Sequence, residues 1–413
     1  MKKAVLAIAI EDRVDVWFQN ADGEVFFKSD PEIPEGRNYL EEVHRLIREQ
    51  FQSLLVSLKL DAASLFDSIA SIVVSIPGVI EKDVLLQIPL WHSKSFDTAC
   101  WKHNGELKTC FDFPNELADI VQSLIEKQGL RWNIHARKQF ADRVLAVNDA
   151  TAGAIFECDR RLDLGMGPQD ARDFIYVKIH EGMNVGVVKS GSGGKIIVPA
   201  THPEAGHSYA EPHELDFHIF FQGICRFHRG CFEGMIAVHG IYKRAMSRKK
   251  ASNPKHRAVL DSWKKKALAL RRKKLRGHQL DDALLQAAFQ SGPLTKDGTN
   301  YAVDLIAHYA AGLIYQLMIG PLAPKQVVIG GPSATEPVLI EIRKKVRREF
   351  AHGYPARPEL SAQEIDNSIV RVGVAAEEVR EIEVRGALAM ANSEACESAT
   401  VTDLADARKK QRR

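Results

Sequence analysis

The sequence predicts an α/β protein built from two related halves facing a cleft, and three observations carry that expectation. A hairpin-plus-helix pattern fills the first 160 residues and restarts after Gly165. The chain has 413 residues, too many for one small module and enough for two domains with buried cores. Its composition, 45% hydrophobic and 26% charged, excludes wholesale disorder and collagen-like order.

Residues 3–10 and 13–19 alternate as strands, Asp22-Gly23 supplies a turn, and Glu24–Lys28 reads as the returning strand. Apolar residues at helical spacing between Leu40 and Leu55 predict a helix over Asn38–Leu60. Ile69–Ile76 is a continuous apolar run, hence a buried strand, stopped by Pro77-Gly78. Ile80–Pro114 reads as irregular. A helix over Asn115–Lys127, a strand over Arg143–Val147 and a helix over Thr151–Arg160 close the first half. In the second half Phe174–Ile179 and Val185–Val188 form a hairpin pattern, with Gly191 and Gly193-Gly194 as turns. A His/Cys-rich stretch, Thr201–Cys231, precedes the long helix Tyr301–Ile319. The strand Gln326–Ile329 ends in Gly330-Gly331 and leads to the helix Pro337–Phe350; the strand Ser368–Val374 and the helix Arg385–Asn392 follow. The expected domains are 1–165 plus 385–413, and 166–384 with an insert over 246–290.

The net charge of +3 conceals an asymmetry. Residues 243–276 hold 15 Lys and Arg against one acid, Asp261, so the rest of the chain is acidic, at −11. Val259, Leu260, Trp263, Leu268, Leu270 and Leu275 punctuate this basic run, which predicts a helical hairpin with one cationic face. Such a face either rests against acidic surface of the protein or meets an anionic partner such as nucleic acid. Six scattered cysteines do not make a secreted disulfide scaffold. The apolar run after Met1-Lys2-Lys3 has seven residues and continues in strand alternation, unlike a signal peptide. No apolar run approaches the roughly 20 residues of a membrane span. A cytoplasmic protein is expected.

Four groups of residues could carry chemistry. Cys225-x2-His228-x2-Cys231, with His207 upstream, offers the soft and borderline donors that tetrahedral zinc takes; ordinary buried thiols are the alternative. Asn148-Asp149 lies at a strand-to-helix turn, where Asp149 either accepts a proton from a substrate hydroxyl or caps the helix. Glu204 and Glu233 flank the His/Cys stretch and either read sugar hydroxyls or are solvated acids. Gly330-Gly331 would let a nucleotide approach the backbone closely.

Together these stretches resemble the ROK family (repressor, open reading frame, kinase). The residues that carry the likeness are Val144–Glu157, Ala200–His207, Gly223–Ala237, Ala323–Pro332 and Val384–Ala391. The pattern His202-Pro203-Glu204 before Gly206-His207, with Cys-x2-His-x2-Cys downstream, is similar to the bacterial fructokinase branch. The resemblance implies an actin/hexokinase-like (ribonuclease H-like) α/β fold with an inter-domain cleft. It implies Asp149 as catalytic base; Asn148, Glu204, His207 and Glu233 as hexose ligands; and His207, Cys225, His228 and Cys231 as ligands of a structural Zn2+. The expected partners are a hexose or hexose derivative, a second copy of the chain, and an anion at 243–276.

The departures concern the phosphates. Where family kinases carry an Asp-x-Gly-Gly-Thr loop, this chain reads Ala9-Ile10-Glu11-Asp12-Arg13. Of the second glycine-rich loop, His180–Gly186, only Gly182 and Gly186 survive, and with Gly330 and Gly331 they would be the nucleotide contacts. Acids in a phosphate loop repel the γ-phosphate that the reaction must position. Two functions are therefore expected: an ATP-dependent, fructokinase-type sugar kinase using Mg-ATP, or a catalytically impaired pseudokinase that senses a sugar. A repressor is disfavoured, since family repressors place a winged helix before the first strand.

Overall fold

The computed structural model describes residues 4–34, 38–88, 101–103, 105–168, 170–180, 182–190, 196–199, 205–225, 227–247, 253–320, 324–352, 360–374, 376–392 and 396–399. Two compact units emerge: Met1–Arg172 with Gly186–His202 and Glu381–Arg413, and Asp173–Val185 with Pro203–Arg380. Beside the expected division, the boundaries fall at 172/173 and 380/381 rather than 165/166 and 384/385, and Gly186–His202 groups with the first unit. A Cβ on Gly186 would lie 2.0 Å from the Ala150 carbonyl oxygen, so the backbone there is pressed against the helix that follows Asn148.

The first unit is organised by a five-stranded sheet in the order Val144–Asn148, Ile69–Ile76, Ala4–Ile10, Val14–Gln19, Val25–Ser29. Ala4–Ile10 pairs parallel with Ile69–Ile76 and antiparallel with Val14–Gln19, which makes it central and explains its complete burial. The helix Tyr39–Leu58 is capped by Asn38, whose side chain accepts from the Leu40 and Glu41 amides. It lays Val43, Ile47, Phe51 and Leu54 on one face of the core with Phe66, Ile72 and Leu117. The stretch 80–114 is not irregular: Val79–Glu81, Val84–Gln87 and Phe111–Asp112 form a small sheet, and Trp101–His103 pairs with Glu106–Lys108. Strands of two to four residues are too short for alternation to register. The helices Ala62–Ser68 and Ile134–Ala141 escape for the same reason of length.

A four-stranded sheet runs Met183–Val187, Phe174–Ile179, Gln326–Gly330, Ile369–Arg371 and belongs to the second unit but for Gly186 and Val187 at the end of its edge strand. The final strand is shorter than Ser368–Val374, because Ala362–Ser368 is a helix with a Ser361/Glu364 capping box. Tyr301–Ile319 is long and apolar enough to cross a membrane, but it packs on the helix Glu336–His352 and buries Leu305, Ile306, Tyr309 and Leu313. The run Val259–Leu270 lies on one helix, Pro254–Arg272, rather than on both arms of a hairpin; its packing partner, Gly277–Gln290, follows the basic segment and carries no Lys or Arg. Val259, Leu260 and Trp263 are buried as the spacing requires, whereas Leu268 is 42% exposed and joins the outer face with Lys265, Arg271 and Arg272.

Candidate functional site

In the first unit, Asn148 is the last residue of a buried parallel strand and pairs with Ile76 of its neighbour. Its Nδ2 donates to the Gly78 carbonyl at 3.1 Å, and its Oδ1 accepts from the Ala150 amide at 2.9 Å. Asn148 is therefore the N-cap, and Asp149 is the first residue of the helix Asp149–Asp163. That helix starts two residues earlier than its apolar spacing suggests. Gly78 completes the corner: it has φ +128°, and a Cβ there would meet the Gln87 carbonyl at 2.2 Å. Asp149 Oδ1 shares the Ala150 amide at 2.9 Å, and the residue is 7% exposed. A carboxylate in the first turn is favoured by the helix dipole.

The turn Glu11–Arg13 follows the first strand. It is a tight hairpin in which Ile10 faces Val14 across the ladder. The Glu11 amide donates to the Arg13 carbonyl at 3.0 Å, and the Asp12 carbonyl accepts from the Ile33 amide at 2.9 Å. Tyr39 Oη donates to the Glu11 carbonyl at 2.6 Å. The turn is thus bonded to its own chain, with an acidic surrounding. Burial pushes the Asp15 carboxyl up to about 7 against the pull of Arg13, and Asp30, Asp12 and Glu383 add to the rise. No anion-binding nest of successive glycine amides is built here.

In the second unit the structure brings His207, Cys225, His228 and Cys231 together, with all four donor atoms within 4.8 Å of one another. His207 Nδ1 lies 3.7 Å from Cys225 Sγ, Cys225 Sγ 3.9 Å from His228 Nδ1, and the two Nδ1 atoms 3.2 Å apart. Bonds of about 2.0–2.1 Å to nitrogen and about 2.3 Å to sulfur place the corners of a zinc tetrahedron roughly 3.3–3.8 Å apart. The donor set fits that ion. Two amides already point at the sulfurs, His228 N to Cys225 and Gly234 N to Cys231, each at 3.4 Å. The loops are joined by Ala210 N to the Gly230 carbonyl and Phe232 N to the Ser208 carbonyl. Zinc held by these four side chains would be structural, locking the turn Ala205–His207 to the loop before Phe232.

The protonation of the cluster follows from its packing. The Cys231 thiol donates to Cys225 and, with His207, holds Cys225 far below the usual thiol range against the opposing effect of burial. Cys231 is pushed up by that same hydrogen bond and by burial. Burial alone would lower His207, but Cys225 and Glu233 outweigh it and raise it to about 10. Glu233 Oε2 meets His207 Nε2 at 2.9 Å, which turns Nδ1 toward the sulfurs. Glu233 is therefore bonded to His207, whatever else it binds. Glu204 lies outside the described residues.

The four glycines each serve the chain's own packing. A Cβ on Gly182 would meet Glu233 Cγ at 2.7 Å, and one on Gly330 would meet Tyr176 Oη at 1.9 Å. Gly331, at φ +93°, backs onto the Ile179 carbonyl, and Gly186 onto Ala150 as described. Beside Gly331, His180 Nε2 lies 3.3 Å from Asp282, which also takes Arg380 at 3.0 Å. Spacing gave no signal of this bridge, because its members are about a hundred residues apart in sequence. A cavity of about 460 Å³ opens there, lined by His180, Asp282, Gly331, Arg371 and Arg380.

A family model described as ROK family matches residues 26–377, and the chain belongs to the ROK family. The fold is that of a glucokinase of this family from Streptomyces griseus solved with glucose and AMPPNP: TM-score 0.54, 16% identity, 93% of this chain and 97% of that one. A ROK family transcriptional regulator, a homolog of the E. coli MLC protein, aligns with TM-score 0.55 and 17% identity over 94% of this chain and 78% of that one. The glucokinase of Balamuthia mandrillaris in complex with glucose gives 0.55 at 11% identity, over 95% and 94%. A fructokinase from Streptococcus mutans is 38% identical over 68 residues, 16% of this chain and 22% of that protein. The chain is a sugar-kinase-like member of its family with the actin-like sugar kinase fold.

Proposed function

We propose that this protein binds a hexose or hexose derivative and transfers phosphate to it poorly or not at all, acting as a sugar-sensing pseudokinase. The observation that carries this reading is the turn Glu11–Arg13. Its backbone is bonded to its own chain, and the carboxylates of Asp12, Asp15, Asp30 and Glu383 lie close enough to influence one another, adding to the rise that burial gives Asp15. A triphosphate brought there would meet like charge. In the second unit Glu204, His207 and Glu233 are the proposed hexose ligands, on loops tied by structural zinc. In the first unit Asn148 is the proposed further ligand and Asp149 the residue in the position of a general base. Calorimetry with fructose, glucose, mannose and their phosphates, with and without Mg-ATP, tests the proposal. A hexose should bind, and Mg-ATP should add no heat. Loss of a charge-stabilising contact costs about a hundredfold or more in rate, so turnover should lie far below the usual ~1–1,000 per second. Phosphorylation of fructose at tens per second would refute the pseudokinase and establish the second reading, an ATP-dependent sugar kinase of fructokinase type. That second reading is favoured by one feature, the buried Asp149 in the first helical turn.

Two partner proposals stand beside this one: a second copy of the chain, read by light scattering, and an anion at 243–276. The exposed Lys265, Arg271, Arg272, Lys273, Lys274 and Arg276 favour the latter. Elution from heparin at the same salt with and without residues 247–276 would refute it.

A further inference from the structure

The second unit holds another group of metal-compatible donors. Glu214 and His218 stand one turn apart on the helix Glu214–Ile219, and His256 is the third residue of the insert's first helix, Pro254–Arg272. One donor atom from each lies within 4.8 Å of the others. The rings of His218 and His256 are 5.0 Å apart at their centroids. His256 is only 1% exposed, and its Nδ1 has no hydrogen-bond partner among the described residues.

It is the other ring nitrogen, Nε2, that is placed toward Glu214, and His256 Nε2 and Glu214 Oε1 stand 3.5 Å apart, beyond a good charge-assisted hydrogen bond. That separation is the edge of a coordination tetrahedron: two ligands bonded at about 2.0–2.1 Å lie roughly 3.3–3.4 Å apart. His218 is half-buried and Glu214 exposed, so both side chains have room to close on an ion.

We propose that Glu214, His218 and His256 form a second site for a divalent cation of borderline hardness, of which zinc is the probe. Two imidazoles and one carboxylate are a donor set that zinc takes with a fourth position left to water. Glu214 and His256 also line a cavity of about 1140 Å³ with Asn253, Lys255 and Tyr301, so the open position faces solvent. The ion joins the helix Glu214–Ile219 to the root of the basic insert, and its occupancy sets how firmly that helix is held. The sulfur-containing set is the tighter site, because thiolates bind zinc more strongly than a lone carboxylate does.

The test uses the full chain, loaded with excess Zn2+, dialysed and assayed for metal by mass spectrometry, beside Glu214→Gln and His218→Ala. Neither substitution touches a fully buried side chain, so both variants should fold. The unaltered chain should hold one ion more than either variant, with the affinity of that ion weakened at least about tenfold in each. Loading with Co2+ separates the two sites: the thiolate charge-transfer band of the Cys225/Cys231 set should be unchanged in both variants. Cys225→Ser should lose that band yet keep the ion that His218→Ala removes. Equal metal content in the unaltered chain and both variants would overturn the proposal, whatever the fate of the sulfur-containing site.

Discussion

Replacing Asp216 by asparagine is expected to destabilise the second unit by about 3–5 kcal/mol. Asp216 and Arg244 are both fully buried. Arg244 Nε and Nη2 donate to the two carboxylate oxygens at 2.6 and 2.7 Å, and Nη2 also reaches the Met235 carbonyl. Tyr309 Oη donates to Asp216 at 2.5 Å. Burial would lower the Arg244 pKa, but the charge of Asp216 outweighs it and raises it above the usual value. An asparagine keeps the shape and removes the charge, leaving a guanidinium buried beside Phe221 with no counter-ion at its Nε. For a unit of this size the loss corresponds to a melting shift of roughly 6–20 °C, read by scanning calorimetry. The paired replacement Asp216→Leu with Arg244→Met removes both charges and should cost less than Asp216→Asn alone. A single substitution costing under about 1 kcal/mol, or a double equal to the sum of its singles, would refute the reasoning.

Chelation of the loaded protein, or Cys231→Ala, should remove the metal of the sulfur-containing set and lower the melting temperature; an unchanged melt at zero metal content would refute a structural role. Asp15 gives a pH dependence of definite sign. Its folded pKa, about 7, lies above its ordinary 3.8, so folding favours the protonated form, and its stabilising effect is fully present below pH 4 and lost as pH rises through 7. Asp15→Asn should therefore be the more stable form at pH 8, by about 2–4 kcal/mol, with the gap closing by pH 4.5. Urea midpoints at the two pH values measure this, and a gap independent of pH would refute it.

Much of the gathering of the Cys and His donors was legible before any fold was known, because metal-compatible side chains are recognised by element type and short spacing. Cys225, His228 and Cys231 lie within seven residues, and a loop that short can hardly separate them. The long elements were legible too. Ile69–Ile76 and Tyr301–Ile319 appear at the bounds their apolar patterns give, since burial on all sides leaves a continuous signal. What the tertiary structure alone decided is which side chains use one another up. Asn148 rather than Asp149 caps the helix, because the preceding strand turns Asn148 onto Gly78 and Ala150. Glu233 orients His207, and Gly182 makes room for Glu233. Asp216, Arg244 and Tyr309 close a buried ion network across 94 residues, and Glu214, His218 and His256 meet across 43. Sequence patterning reports the periodicity of one element against water, whereas these contacts depend on how separate elements cross. That crossing is fixed by packing and by loop closure, which leave no local trace in the order of residues.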